Sequence, residues 1–258
     1  MIDPRADVDP RAEVAADAEI GPWVRIGPGV TIGARSRVDA HSVVEGPTVI
    51  GADNHIHAFC AIGTAPQDKK FDPQAGQSLL QIGNGNTFRE YCSINRGTHG
   101  GGGATTIGDD NWVMAYCHIA HDCHIGNHTV FANNSTLAGH VEIQDHVILG
   151  GFTGVHQFCR LGEGCFTAIA AIVVRDVPPF VIVNGNTARP RTINSVGLRR
   201  RGVDADTIAR LKRCFRALYR QGNRLEQALE IIADEARECP HAAAMLKFIS
   251  ASPRGIVR

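Results

Sequence analysis

Long apolar segments and an excess of charge of either sign are both missing from this 258-residue sequence. Its longest apolar run, AIAAIVV at 168–174, is far shorter than the roughly 20 residues that a helix needs to cross a bilayer. The N-terminus, MIDPRADVDP, is charged and has no apolar core, which argues against a signal peptide. Lysine plus arginine and aspartate plus glutamate number 26 each, so no overall charge draws the chain to nucleic acid or membranes. We therefore expect a soluble cytoplasmic protein whose cysteines are reduced.

Aromatic residues are also scarce, at 6% of the chain, whereas glycine, which suits tight turns, occurs 28 times. A large apolar residue recurs at every sixth position, from Val8 through Ile62 and again from Ile107 through Leu161. A period of six matches neither an α-helix nor a simple alternating strand. It is typical of a parallel β-helix, in which three hexads form one coil of about 18 residues. The sequence therefore predicts a mainly β fold over residues 1–186.

The period is interrupted twice, by polar stretches rich in proline or glycine. These stretches predict loops that leave the coil near 63–81 and 95–106. Such loops on a rigid scaffold often carry function.

Residues 187–258 follow a helical pattern instead and predict a C-terminal α-helical domain. One helix begins with Asp206 as N-cap and ends before Gly222, a second starts after Asn223, and Pro240 opens a third. Between residues 189 and 224 there are eleven lysines or arginines and two aspartates. This basic stretch is either a solvated helical face or a docking surface for an acidic partner or phosphates.

The segment MAYCHIAHDCHIG, 114–126, suggests a metal site, a proton-transfer site or packing, depending on where its side chains point. Six of the eight cysteines lie two residues before an inward position, so we expect them to fill the core. No two of these six are separated by the length of one coil, which predicts that none stack on adjacent coils. Disulfides and zinc bound by cysteine are therefore not expected. His118 and His124 are predicted to lie on different faces, which argues against one metal centre that contains both.

Residues separated by the length of one coil are expected to lie next to each other on adjacent coils. His121, Gly139 and Gln157 follow one another at intervals of one coil, Asp122 and His140 likewise, and His156 adjoins Gln157. We expect them to form one exposed edge within about 10 Å. A neutral His121 could accept a proton from a hydroxyl, the Gly139 N–H could stabilise an oxyanion, and Asp122 could orient the base. No outward serine or cysteine occurs on these coils, so the pattern favours direct acyl transfer.

The same residues resemble those of the bacterial acyl-[acyl-carrier-protein]–UDP-N-acetylglucosamine O-acyltransferase family, which begins lipid A biosynthesis. Their shared stretches occur in family order over nearly the whole chain: PQDKK (66–70), HIAHDC (118–123), LAGHV (137–141), VHQFC (155–159), DVPPFVI (176–182) and RRRG (199–202).

This resemblance implies a left-handed β-helix, a homotrimer with active sites between subunits, and an acyl donor carried on the phosphopantetheine of acyl-carrier protein, without another cofactor or metal. It implies that the base His121 deprotonates the glucosamine 3-hydroxyl and that Gly139 binds the oxyanion. The basic helical domain would meet the carrier protein. Residues implied in substrate binding are Gln67, Asp68, His118, His140, His156, Gln157, Asn194, Arg200 and Arg201.

The chain departs from the family pattern at three positions. Asn95 replaces a histidine found in some members, and Val196 replaces an acidic residue, so contacts to the nucleotide are expected to differ. Ile169 falls where the family's acyl pocket ends, and glycine there leaves a deep pocket. We expect Ile169 to shorten the pocket and to select a shorter acyl chain.

Several other functions fit a hexapeptide β-helix with surface histidines. They are the paralogous N-acyltransferase that acts on a 3-O-acylglucosamine nucleotide, a coenzyme A-dependent acetyltransferase, and a γ-type carbonic anhydrase with zinc between subunits. A non-catalytic scaffold is a fourth, which the clustered histidines argue against.

Overall fold

The computed structural model describes all 258 residues, and three parallel β-sheets form most of it. Each coil of the chain supplies one short strand to the first, second and third sheet in turn. Strands of adjacent coils pair in parallel, with His118 opposite Thr136 and Ile119 opposite Leu137, for example. The predicted left-handed parallel β-helix is confirmed.

The strands are mostly two to four residues long. The first sheet contains Asp7–Val8, Arg25–Ile26, Val43–Val44, Ala61–Thr64, Ser93–Asn95, His118–Ile119, Thr136–Leu137, Gly154–Val155 and Ile172–Val173. The second contains Glu13–Val14, Val30–Ile32, Thr48–Ile50, Leu79–Ile82, Ala104–Ile107, His124–Ile125, Glu142–Ile143 and Arg160–Leu161. The third contains Glu19–Ile20, Arg37–Val38, His55–Ile56, Thr87–Phe88, Trp112–Val113, Val130–Phe131, Ile148–Leu149, Phe166–Thr167, Val181–Asn184 and an antiparallel strand, Arg189–Ile193.

The inner apolar residues stack along the prism and form its core. Ile119, Leu137 and Val155, for example, are each at most 3% exposed. All eight cysteines are buried and free, as the register predicts for the six in the β-helix. His118 and His124 lie in the first and second sheets, so the predicted separation of their faces is confirmed.

One prediction about the cysteines is wrong. Cys60, Cys92 and Cys117 do stack on three adjacent coils, because the residues that follow them, Ala61, Ser93 and His118, pair in one register. Successive cysteines of this set are separated by more residues than one regular coil contains. The two loops add residues between them, but the strands on either side still pair in the same register. The stacked thiols are core residues, and each donates to a main-chain carbonyl.

Both loops leave the prism where the chain passes from the first sheet to the second, which we call the first–second edge. The first runs from the end of the strand at Thr64 to Leu79, and the second from Asn95 to Ala104 with a 3₁₀ turn at His99–Gly101. Both are shorter than the predicted stretches because the flanking strands extend into them. The two insertions therefore flank the same edge.

Four helices follow the strands: α1 Ser195–Arg200, α2 Ala205–Tyr219, α3 Leu225–Ala236 and α4 Pro240–Ser250. The N-cap of α2 is Asp204 rather than the predicted Asp206, since the Asp204 carboxylate accepts the Thr207 N–H. Helix α1 was not predicted, because its single short segment is too brief to show a helical period. None of the four helices combines the length and apolarity required to cross a bilayer.

Candidate active site

The first–second edge brings the predicted residues of three coils into one column. The His140 N–H donates to the His121 carbonyl (3.0 Å), and the Phe158 N–H donates to the Gly139 carbonyl (3.2 Å). Asp122, His140 and Phe158 each turn the corner with φ near +60°, a left-handed conformation that Asp and His tolerate better than most residues. Their side chains therefore follow one another along the edge.

Asp122 is the buried centre of the group. It is 1% exposed, in contrast to the exposed edge that the sequence predicts, because the second loop covers it. Its Oδ2 accepts from His121 Nδ1 (2.7 Å) and from the Thr98 hydroxyl (2.6 Å), while Oδ1 accepts the Thr98 N–H (2.8 Å). The Asp122 N–H in turn donates to the Thr105 hydroxyl (2.8 Å). These bonds hold the carboxylate in a single position against His121.

His121 and Gly139 are in direct contact across one coil spacing. The hydrogen bond at Nδ1 leaves Nε2 of His121 facing Gly139, so that a β-carbon on residue 139 would lie 2.9 Å from that nitrogen. The Gly139 N–H donates to no acceptor within the chain. A proton acceptor and a free main-chain donor therefore lie side by side.

Two further histidines surround His121. His140 meets it edge-on, with ring centroids 5.2 Å apart, and stacks on Phe158 at 4.5 Å. His118 Nδ1 is 2.7 Å from the Ser93 hydroxyl. Burial lowers the pKa of both His118 and His140, which keeps these imidazoles neutral near pH 7.

Two clefts meet at His121. The larger, of about 450 Å³, runs across the first sheet. Its lining includes Gln67, His118, Thr136, Leu137, Gly139, Val155, His156, Ile172 and Val174. The smaller, of about 340 Å³, lies between the two loops, and Asp68, Thr98 and His140 contribute to it. Gln157 is exposed beside His156 but lines neither cleft.

The structure does not bring Asn194, Arg200 and Arg201 to His121 within one chain. They line a separate cleft of about 170 Å³ with His128 and His146, on the edge between the second and third sheets. Asn194 also caps α1 by accepting the Gly197 N–H (3.0 Å).

The three residues that depart from the family pattern lie in different surroundings. Asn95 is buried and donates through Nδ2 to the Thr64 hydroxyl (3.0 Å), so that it holds the start of the first loop. Val196 is 56% exposed. Ile169 is 72% exposed at the edge between the third and first sheets, beyond the Ile172 end of the larger cleft.

Sequence reasoning missed Thr98, Ser93 and Phe158. Phe158 follows His140 at the interval of one regular coil, so the coil length alone could have found it. Ser93 and Thr98 precede His118 and Asp122 by a longer interval, because the second loop adds to the coil. Only a register that allows for this insertion would find them.

A parallel β-helix with a histidine–carboxylate pair and a free main-chain donor on one edge defines the class of hexapeptide-repeat acyltransferases. The bacterial transferase hexapeptide profile matches residues 104–139, and the profile described as UDP-N-acetylglucosamine O-acyltransferase, domain 2, matches residues 176–257.

Relatives of known name narrow the class to one family. The acyl-[acyl-carrier-protein]–UDP-N-acetylglucosamine O-acyltransferase of Verminephrobacter eiseniae is 50% identical over 82% of this chain and 81% of its own length, and that of Janthinobacterium is 52% identical over 80% of each. The solved UDP-N-acetylglucosamine acyltransferase of Francisella novicida superposes with a TM-score of 0.97 at 38% identity, covering 100% of this chain and 94% of the other. The chain belongs to the acyl-[acyl-carrier-protein]–UDP-N-acetylglucosamine O-acyltransferase family and is an acyltransferase.

Proposed function

We propose that the protein transfers a 3-hydroxyacyl chain from acyl-carrier protein to the glucosamine 3-hydroxyl of UDP-N-acetylglucosamine, the first step of lipid A biosynthesis. The observation that carries this proposal is the contact between His121 Nε2 and Gly139, whose N–H has no acceptor in the chain. Family membership supports the same substrates.

His121 acts as the general base. Its Nε2 takes the proton of the sugar 3-hydroxyl while the hydroxyl oxygen attacks the thioester carbonyl. The resulting oxyanion accepts the Gly139 N–H, a contact that is worth on the order of 10²–10³ in rate. The C–S bond then breaks, and the thiolate of the carrier takes the proton from the His121 imidazolium. The sugar ester and the free carrier thiol are the products.

Asp122 orients the base and stabilises the imidazolium that forms. It lies within 4.8 Å of donor atoms of His121 and His140, a spacing that could also suit a metal ion. However, Thr98 and His121 already occupy its two oxygens, and the second loop covers it. This arrangement favours orientation of His121 over metal binding. No cofactor is needed, because the donor brings its own phosphopantetheine. All eight cysteines are buried, which favours direct transfer over an acyl-enzyme on a cysteine.

The larger cleft receives the acyl chain. Ala138, Ile172 and Val174 point outward and give it an apolar wall that leads away from His121 across the first sheet. Ile169 stands at the far side of that sheet and limits the room for methylenes.

Replacing Ile169 tests this limit. We expect I169G to shift chain-length preference towards longer 3-hydroxyacyl donors, measured as kcat/KM over a matched series of acyl-carrier proteins. Each methylene that becomes accommodated should gain about 1 kcal/mol, or roughly fivefold. An unchanged preference would exclude Ile169 as the end of the pocket.

The active protein is a homotrimer. Exposed aromatic residues stack along the edge between the third and first sheets, with ring centroids 4.8–5.2 Å apart: Trp23, Phe59, Tyr91 and Tyr116, with His41 between the first two. Three copies joined along this edge would bury the column. The third sheet of one copy would then face the first sheet of the next, and the cleft at Arg200 would adjoin His121 of its neighbour.

This assembly places the nucleotide across two subunits. Gln67 and Asp68 of one subunit contact the sugar near His121, while Asn194, Arg200 and Arg201 of the next face the phosphates, which suit arginine. The carrier protein is acidic and docks on the basic helical domain. Both substrates are cytoplasmic, so the protein acts in the cytoplasm.

The base is tested by replacing His121. H121A should fold and assemble, because the side chain is outside the core, yet lose about 10²–10⁴ in kcat. Turnover of UDP-N-acetylglucosamine with 3-hydroxyacyl-carrier protein would be measured beside the same acyl group on coenzyme A. If H121A kept activity close to that of the unaltered protein, His121 would not be the base. If the unaltered protein preferred the coenzyme A thioester, acyl-carrier protein would not be the donor.

A further inference from the structure

A second group of histidines and carboxylates lies on the third sheet, away from the clefts at His121. Asp39 Oδ2, His55 Nε2 and His57 Nδ1 all lie within 4.8 Å of one another. The Asp39 oxygen is 2.9 Å from His55 and 3.7 Å from His57. The two imidazoles stack with their centroids 3.8 Å apart. No step of the acyl transfer uses these side chains.

A fourth donor completes the group. Glu90 Oε1 lies 3.7 Å from His57 Nδ1, the same distance that separates this nitrogen from Asp39. The donors come from three consecutive coils, since Arg37 pairs with His55 and His55 with Thr87 in the sheet. The four side chains are between 21% and 34% exposed in the single chain, so they form a shallow pocket that an ion can enter before the chains assemble.

We propose that Asp39, His55, His57 and Glu90 bind a divalent cation of the zinc class. Two imidazole nitrogens and two carboxylate oxygens are ligands that Zn²⁺ accepts in four-coordinate sites, at about 2.0–2.2 Å. Tetrahedral ligands at these distances lie about 3.4 Å apart. The separations of 2.9 and 3.7 Å among Asp39, His55 and His57 bracket this value, so small rotations would bring these three to one ion, and Glu90 would turn from Arg89 to join them.

The electrostatics of the group are compatible with a cation. Asp39 and Glu90 bring two carboxylates to the imidazoles of the group. Arg37 donates to the other oxygen of Asp39 (2.6 Å), so it can orient the carboxylate without occupying Oδ2.

Glu90 must give up part of its bond with Arg89 when it turns to the ion. Arg89 donates to both Glu90 oxygens, at 3.0 and 3.1 Å. Exposed ion pairs of this kind are worth at most about 1 kcal/mol, which metal ligation readily exceeds. A bound ion would join three adjacent coils near the N-terminal end of the prism and raise their resistance to unfolding.

The test uses tag-free protein from cells grown with Co²⁺, so that the ion can enter before the chains assemble. Metal content per chain and the visible absorption of tetrahedral Co²⁺ are measured for the unaltered protein, the H55Q/H57Q double variant and two controls. H124Q replaces an exposed histidine on the second sheet, and H121Q alters the other group of donors. We expect about one Co²⁺ per chain in the unaltered protein and in both controls, and a loss of at least tenfold in H55Q/H57Q.

The melting temperature gives a second measurement. Growth with Zn²⁺ in place of a metal-depleted medium should raise it in the unaltered protein and in H124Q but not in H55Q/H57Q, whether or not the variant begins at a lower value. Absence of Co²⁺ from the unaltered protein would overturn the proposal. Retention of Co²⁺ by H55Q/H57Q together with its loss from H121Q would assign the ion to the other group and would overturn it equally. Because the readouts are metal content and stability, they stand apart from any failure of the proposed acyl transfer.

Discussion

At the scale of single residues, Gly139 and His121 constrain one another. A β-carbon at residue 139 would lie 2.7 Å from His121 Cε1, closer than real β-carbons approach other atoms. The backbone of Gly139 has no positive φ, so glycine is required here by the neighbouring imidazole rather than by the turn. The close contact is what places Nε2 beside the free N–H.

We therefore expect G139A to fold and to lose on the order of 10² in kcat, because the added methyl pushes the imidazole away from its working position. Steady-state turnover and a thermal melt measure the two effects. G27A serves as the control, since its β-carbon would meet nothing closer than 3.4 Å at the same edge of the N-terminal coils. If both variants kept full activity, the contact with His121 would have no part in catalysis.

At the scale of elements, the second loop acts as the cover and anchor of Asp122. The Thr98 hydroxyl and His121 Nδ1 share the same carboxylate oxygen, at 2.6 and 2.7 Å. Thr98 therefore acts through Asp122 and His121 and touches no reacting atom in the proposed mechanism. It is a positioning residue supplied by an insertion in the coil.

Replacing the Thr98 hydroxyl should leave the His121 imidazole in place but hold it less firmly in position. T98V loses about 1 kcal/mol of hydrogen bonding, so we expect kcat to fall about fivefold with KM little changed, and T98S to restore it. T106V provides a matched control, because the Thr106 hydroxyl bonds His124, and neither residue lines a cleft. A loss of stability alone, with kcat and KM intact, would show that Thr98 serves only the fold.

At the scale of the whole molecule, one chain holds only part of the proposed site. The first–second edge carries His121, while Arg200 and Arg201 lie on the edge between the second and third sheets. The outward residues of the second sheet are mostly polar, whereas Trp112, Val130, Ile148 and Phe166 give the later strands of the third sheet an apolar outer face. These differences favour contact through the third and first sheets, with the second exposed.

The assembly is tested at the aromatic column. Tyr91 and Tyr116 stack at 4.8 Å and are 47% and 56% exposed in the single chain. We expect the double variant Y91S/Y116S to dissociate at concentrations at which the unaltered protein sediments as a trimer, with activity lost in proportion. V49S removes an apolar side chain from the second sheet and should leave the trimer intact. A fully active monomer of the unaltered protein would contradict a site shared between subunits.

Much of the fold was predictable because the β-helix is built from local repeats. The inward position of Ile119 and the stacking of His121 on Gly139 both follow from counting residues within coils of constant length. The burial of Asp122 and the stacking of Cys60 on Cys92 did not follow, because loops interrupt the count between those coils. Helix α1 escaped prediction because its six residues are too few to show a helical period.

The sequence by itself determined the coil, the inward and outward faces and the candidate base, since each depends on a period of six that neighbouring residues share. Only the tertiary structure decided which groups hold that base. The strands at Ser93 and His118 pair although a whole loop lies between them, and this pairing brings Thr98 onto Asp122. Backbone hydrogen bonds between strands depend on register alone. A loop between two strands does not follow the period of six, so the sequence does not show which residues it brings together.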